Sequence, residues 1–393
     1  MRALRTYSPA PRPAPPLRVL FVIQGEGRGH LTQALAAAEM LRAEGHVVVG
    51  ALIGTSGRRA VPAFFRDAIG APVGTYASPN FVSGRDGAIR PVATLARALT
   101  AGPACSASLD RIDEALARTE PDIVVNFYEA LVGAYALVRT LDVPVVAVGH
   151  QFMMGCPSYP LVGGQPLQRA ALHAYTRLVG ARATLRLALS LYTAPDVPEK
   201  RVRVIPPLLR RQLFGLRRTV PAERRLLVYL MEPALGARLA AWSDRRPDVA
   251  VDCFSDTPPR RHSDRLAFHA LSGERFLEHM ASASGVVCTA GFESVSEAFW
   301  LGTPALMLPV PNHYEQRCNA VDAERLGVGL ATDGRLDRME PALDAFADSL
   351  GTPPGAATAT FRSWVAEAPE RFVGAVESAA GRVARPHALA LAA

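Results

Sequence analysis

The sequence predicts an α/β fold built from two parallel sheets that face a cleft. Three observations carry this. Apolar, β-branched runs alternate with Ala- and Leu-rich stretches of helical length. The alternation pauses at a Pro- and Arg-rich stretch, 195–225, and then starts again. The chain has 393 residues, room for two domains at about 150 residues each.

Residues 1–16 are polar and carry Pro9, Pro11, Pro13, Pro15 and Pro16, a composition for a disordered, extended tail. The run 17–23 (LRVLFVI) fits a strand buried on both faces. A glycine-rich turn at 24–30 follows, and 31–44 reads as a helix closed by Gly45. Strands are expected at 47–53, 123–126 and 143–148, with a helix at 129–140. Beyond the connector, strands are expected at 226–230, 249–254, 266–270, 286–289 and 305–308. Helices are expected there at 235–242, 274–283 and from about 294 to 301. This grammar gives two Rossmann-like domains, 17–210 and 211–360. Residues 361–393 form a C-terminal helix and tail, expected to pack back on the first domain. Ligands in such sheets bind beyond the carboxyl ends of the strands. That points to the loops at 24–30, 126–129, 149–154, 231–233 and 289–294.

Composition excludes several classes. With 49% hydrophobic and 20% charged residues the chain is not disordered. Cys105, Cys156, Cys253, Cys288 and Cys318 form no CxxC pair. A disulfide framework and a zinc ribbon are therefore unexpected, and the thiols fit a reducing cytosol. The apolar run 19–23 is too short for a signal peptide core, and 131–148 is interrupted by Arg139 and Asp142. The net charge is +7, and Arg201, Arg203, Arg210, Arg211, Arg217, Arg218, Arg224 and Arg225 against Glu223 hold an excess as large. That stretch is either a solvated connector or a surface for phosphates or an anionic membrane. The arginines lack interleaved aromatics, so no nucleic-acid partner is expected.

Two constellations carry chemistry. The first is Gly25-Glu26-Gly27-Arg28-Gly29-His30. Glycines allow close backbone approach, and the helix start that follows favours an anion. A dinucleotide fingerprint would need a third glycine where His30 stands, and an acid closing the second strand, which ends Ala51-Leu52-Ile53-Gly54. His30 is either a helix-start histidine bonded locally or a general base reaching into the cleft. The second constellation, 286–320, is a strand, a turn at Ala290-Gly291 and a helix with Ser294 near its start. Backbone N–H groups in that first turn have no helical partners and can hold a diphosphate. Glu297, one turn on, can accept from both hydroxyls of a ribose. Glu315-Gln316 can hold sugar hydroxyls.

The chain resembles nucleotide-sugar glycosyltransferases of the GT-B architecture, two Rossmann-like domains facing a cleft. It is most similar to the branch of the peptidoglycan lipid-linked N-acetylglucosaminyltransferase and the small-molecule and lipid glycosyltransferases. Plant and antibiotic glycosyltransferases carry H-C-G-x-N-S-x-x-E and then D-Q-x-x-N-A, though the peptidoglycan enzyme lacks the histidine. Here Thr289-Ala290-Gly291-Phe292-Glu293-Ser294-Val295-Ser296-Glu297 and Glu315-Gln316-Arg317-Cys318-Asn319-Ala320 stand in those places. The resemblance implies that Ser294 and its turn, 289–294, hold the diphosphate of a nucleotide sugar, with uridine the expected nucleoside. It puts Glu297 on the ribose, and Glu315 and Gln316 on the sugar. Thr289 stands where many relatives have a phosphate-binding histidine; Arg28 or an arginine of the connector is the candidate replacement. Glu293 replaces an amide. His30 matches the base of many relatives, and Glu129 is the candidate acid to orient it. His150 is a second histidine near the cleft.

No Asp-x-Asp occurs, so no metal cofactor is expected. Thr289 also breaks the paired-glutamate signature of retaining relatives. The expected reaction is inverting transfer to an acceptor hydroxyl. Gly27, Arg28 and Gly29 are candidates for a phosphate or acceptor loop. His150, Phe152 and Met153 are candidates for an acceptor site, on a segment equally readable as buried core. A lipid or apolar small-molecule acceptor at the cytoplasmic membrane face is the expectation. A nucleotide-sugar 2-epimerase and a non-catalytic nucleotide-sugar sensor are the rival readings.

Overall fold

A computed structural model of the chain describes residues 15–56, 60–78, 102–229, 233–255, 265–270, 272–350 and 356–382. Most of the expected tail, and 231–232 of one expected loop, lie outside the described residues. The first half runs β1 (Arg18–Gln24), α1 (Arg28–Ala43), β2 (Val47–Thr55), α2 (Ala63–Ile69), β3 (Val73–Ala77), α3 (Gly102–Thr119), β4 (Ile123–Phe127), α4 (Ala130–Val138) and β5 (Val145–Gly149). A 3₁₀ turn (His150–Gly155), α5 (Pro166–Val179), β6 (Leu185–Leu189) and β7 (Val202–Ile205) complete it. These seven strands form one parallel sheet in the order β3-β2-β1-β4-β5-β6-β7.

After α6 (Arg211–Phe214) the pattern restarts with β8 (Arg224–Tyr229), α7 (Pro233–Arg245), β9 (Val249–Ser255), β10 (Leu266–Ala270), α8 (Gly273–Ser282) and β11 (Gly285–Cys288). Then come α9 (Phe292–Leu301), β12 (Ala305–Met307), α10 (Tyr314–Arg325), β13 (Gly329–Ala331), α11 (Met339–Ser349), α12 (Ala356–Ala366) and α13 (Ala368–Ala379). The second sheet is parallel in the order β10-β9-β8-β11-β12-β13. Each sheet reverses its winding at one place, between β1 and β4 and between β8 and β11. A crevice opens at the carboxyl ends of the strands there.

Local chemistry explains where elements differ from expectation. Helix α1 starts at Arg28, which places Gly29 and His30 inside its first turn. Strand β5 starts at Val145 because Pro144 has no N–H to donate. Strands β6 and β7 read LRLAL and VRVI, so Arg186 and Arg203 interrupt the apolar signal. Arg186 instead folds back to donate to the Gly180 carbonyl. Residues 202–205 of the expected connector are therefore an edge strand of the first sheet.

Strands β4 and β5 are buried along their whole length, as helices on both faces require. One apolar cluster runs from the first sheet through Phe276, Phe292 and Phe299 to Phe361 and Phe372. A second, around Trp242 and Phe346, fills the other face of the second sheet. The C-terminal helices tie the halves together. Phe361 of α12 stacks on Phe299 with ring centroids 4.3 Å apart, and the Trp364 indole donates to the Ser190 carbonyl at 2.9 Å. Helix α13 packs on α1, β4, β5 and β7.

Candidate active site

The turn after β1 is held tight. A Cβ at Gly25 would stand 2.6 Å from Ile53 Cγ2 and 2.7 Å from the Gly54 carbonyl oxygen, so only glycine fits where the ends of β1 and β2 converge. Gly27 caps α1 without a side-chain bond, and Arg28 opens the helix. His30, in the first turn, stacks on Tyr128 with ring centroids 5.7 Å apart. Tyr128 itself has φ +58°, a left-handed conformation uncommon for a bulky residue. His30 Nδ1 lies 3.3 Å from Gln33 Oε1. Burial lowers the imidazole to about 4, with the Gln33 bond opposing. The ring is neutral near pH 7, as a proton acceptor must be.

Glu129 does not orient His30. Its carboxylate turns onto its own helix, accepting from Leu131 N at 3.1 Å as the N-cap of α4, and from Ser78 Oγ at 2.8 Å. Burial raises this acid to about 7. A carboxylate at a helix start satisfies the nearest free N–H groups before it reaches a distant ring, and Gln33 takes the expected place beside His30.

His150, Phe152 and Met153 are buried, so they form no open acceptor wall. His150 Nδ1 donates to the Leu189 carbonyl at 2.6 Å, and Nε2 lies 3.2 Å from the Tyr159 hydroxyl. Nδ1 is engaged, and Nε2 faces a hydroxyl whose single proton goes to Asn319 Oδ1, within a ring buried at the junction. Its ring stacks on Phe292 at 4.0 Å, and burial lowers it to about 4. These residues pack the junction between the halves.

On the other side, β11 ends at Cys288 and the chain turns through Thr289, Ala290 and Gly291 into α9. Ala290 has φ +58°, and its carbonyl accepts from Asn319 Nδ2 at 3.1 Å. Gly291 is the N-cap of α9 and offers no side-chain bond. Gly291 and Ser294 are half-buried amid buried neighbours. The helix start thus presents uncapped amides and a hydroxyl, an arrangement suited to an anion. Glu297 is buried and accepts from Arg210 Nε at 2.8 Å; Arg210 Nη1 also reaches the Gly273 carbonyl at 3.3 Å.

Glu293 turns away from this helix start, toward the first half, and accepts from Gln33 Nε2 at 2.6 Å. Burial and the nearby Glu297 raise it to about 8, with Gln33 and Arg210 opposing. Glu315 accepts from Gln151 Nε2 at 2.9 Å, and burial raises it to about 7. Gln316 Oε1 accepts from Val310 N at 2.8 Å, which ties it to the loop before α10. The Tyr159 hydroxyl donates to Asn319 Oδ1 at 2.8 Å. The two halves therefore meet through Gln33–Glu293, Gln151–Glu315 and Tyr159–Asn319.

Among the described residues, Asp252, His269 and His279 are the one group near enough to share an ion. Asp252 already pairs with Arg225 at 3.0 Å and with His269 at 2.8 Å. None of the three belongs to the turns just described.

The sequence profile of Glycosyl transferase family 1 matches residues 17–350. The chain belongs to this family. Comparison with curated proteins gives no match. Solved structures of similar shape include the glycotransferase of kitacinnamycin, with TM-score 0.60 and 18% identity over 93% of this chain and 97% of that one. MurG of Acinetobacter baumannii is similar at TM-score 0.56 and 16% identity, over 92% of this chain and 100% of that one. The spinosyn rhamnosyltransferase SpnG complexed with thymidine diphosphate is similar at TM-score 0.56 and 18% identity, over 92% and 100%. At these identities the likeness establishes the GT-B fold.

The sequence placed this glycosyltransferase's chemistry in the turns after β1 and β11, and the fold brings those turns together. Gln33, Gln151 and Tyr159 carried no motif signal. Gln33 lies 260 residues from its partner, and only the docking of the halves reveals it. Arg210 was visible only as one arginine of a basic run.

Proposed function

We propose that this glycosyltransferase moves a sugar from a nucleoside diphosphate sugar to an acceptor hydroxyl, by inverting displacement and without a metal. The observation that carries this is the uncapped start of α9, with Ser294 half-buried there and Glu297 one turn on. The diphosphate lies on the amides of 292–294 and the Ser294 hydroxyl, where the helix dipole favours the growing charge of the leaving group. Glu297 takes the ribose hydroxyls. To do so it exchanges its ion pair, and Arg210 passes to the diphosphate, supplying the charge that Thr289 lacks. Glu315 and Gln316 face the sugar, with Gly27, Arg28 and Gly29 on its other side. His30 Nε2 takes the proton from the acceptor hydroxyl as that oxygen attacks the anomeric carbon; the bond to the diphosphate oxygen breaks on the opposite face.

The functional units are 17–210 for the acceptor and 211–360 for the donor, with the helical stretch 361–382 packed back on the first. Uridine is the proposed nucleoside, and the thymidine diphosphate bound by SpnG names its competitor. The acceptor is a lipid or an apolar aglycone. The site of action is the inner face of the cell membrane, reached peripherally through the basic run; among the described residues no helix is long and apolar enough to cross a membrane.

The test is a thermal-shift screen of nucleotide sugars, followed by product analysis with lipid extract and aglycones. His30→Ala is expected to bind donor as before while losing transfer by at least about 10²-fold. Full transfer by that variant removes His30 from the base role. An epimer formed from donor alone, or tight donor binding with neither transfer nor hydrolysis, overturns the transferase reading.

A further inference from the structure

We propose that Gln33 and Glu293 are positioning residues that fix which nitrogen of His30 carries the proton, and do so only while the two halves are docked. This rests on the reading of His30 as the base and adds a device to it.

A glutamine amide has a donor end and an acceptor end. Gln33 uses both. Its Nε2 donates to Glu293 Oε1 at 2.6 Å, and its Oε1 faces His30 Nδ1 at 3.3 Å. An oxygen in that position requires a proton on Nδ1. The other ring nitrogen then keeps its lone pair, and no described residue bonds to it. An amide turned end for end would put N–H on Nδ1 and force the proton onto Nε2. It would also need Glu293 to donate. An ionised carboxylate only accepts, so Glu293 selects the arrangement in which His30 Nε2 is a base once it is ionised; burial and Glu297 raise it to about 8, and the selection sharpens as pH rises through that value.

The selector sits on the opposite half, next to the turn assigned to the diphosphate. Gly29 lets it approach, since a Cβ there would stand 3.0 Å from Glu293 Cγ. Its second oxygen, Oε2, is buried with no hydrogen-bond partner among the described residues. The carboxylate is thus held by one bond, and that bond is to Gln33. The charged groups facing it are Glu297 and Arg210. If Arg210 leaves Glu297 for a donor, the balance of charge around Glu293 changes at that moment. Separating the halves breaks the bond outright and frees the Gln33 amide. The base is thereby set by closure of the cleft.

Nitrogen-15 NMR of the full chain with labelled histidine reads the tautomer without turnover. The His30 signal is assigned by its loss in His30→Asn. Above pH 8, where Glu293 is ionised, the wild type is expected to show protonated Nδ1 and bare Nε2, and below it a mixture of the two forms. Gln33→Leu is expected to move His30 toward the Nε2–H form. Glu293→Gln is expected to give a mixture, because an amide partner accepts either orientation. Transfer should fall by roughly 10²-fold in Gln33→Leu, with donor KM near the wild-type value. Gly29→Ala, whose Cβ would crowd Glu293 Cγ while leaving both bonding groups chemically unchanged, should shift the signal in the same direction. A wild-type His30 protonated on Nε2 above pH 8, or an unchanged tautomer in all three variants there, overturns the proposal. Failure of the base reading shows separately, as full transfer by His30→Ala.

Discussion

At the scale of single residues the site is a set of acids and amides that hold one another. The buried Arg210–Glu297 pair is the clearest case, because removing one partner strands the other charge out of water. Glu297→Ala is expected to cost about 3 kcal/mol of stability, and Arg210→Ala a similar amount. The double variant should cost less than the sum, since neither charge is then stranded. Chemical denaturation of the three variants measures this; simple additivity would mean that the pair is not coupled. Ser294 and Glu297 were legible in the sequence because helix geometry fixes their offset from the turn. Glu129 was legible as an acid at a helix start, but its partner was not. A capping bond is local and satisfied first, so the sequence offers no sign that Gln33 supplies the contact to His30.

At the scale of elements, close approaches and anchors set the outcome. Helix α4 lies on α5 through Gly133, where a Cβ would come 1.7 Å from the Leu178 carbonyl oxygen. Gly133→Ala must part the two helices and is expected to cost about 1–3 kcal/mol, read as a lower midpoint in thermal unfolding. An unchanged midpoint would mean that the helices do not meet there. Helix α13 is anchored by Glu377, whose Oε1 lies 3.3 Å from His46 Nε2, while His46 Nδ1 accepts from Leu17 N at 3.1 Å. Burial lowers His46, with Glu377 opposing. The folded state therefore takes up this proton less readily than the unfolded chain. The contribution is fully present above pH 6.5, the ordinary histidine value, and fades as pH falls from there toward the lowered value. His46→Gln should flatten that slope in unfolding measured below pH 6.5; a slope unchanged from wild type would assign it to other groups. The long apolar strands were legible as continuous buried runs. Strands β6 and β7 were not, because a single arginine in a five- or four-residue run erases the pattern.

At the scale of the whole molecule, two sheets share a core and close on each other through side chains from both halves. The alternating grammar and its restart made the two-sheet plan legible, and the motif at 286–320 pointed to the proposed donor side. The contacts across the cleft were not, since they join residues with no fixed spacing. They also set the central demand of the proposed mechanism: a donor must part Arg210 from Glu297 and enter at the start of α9. A crystal structure of the chain soaked with UDP tests this most directly. The expected result is a diphosphate within about 3 Å of the amides of 292–294, ribose hydroxyls on Glu297, and Arg210 turned toward the phosphates. Nucleotide bound elsewhere, with the Arg210–Glu297 pair intact at saturation, would contradict it.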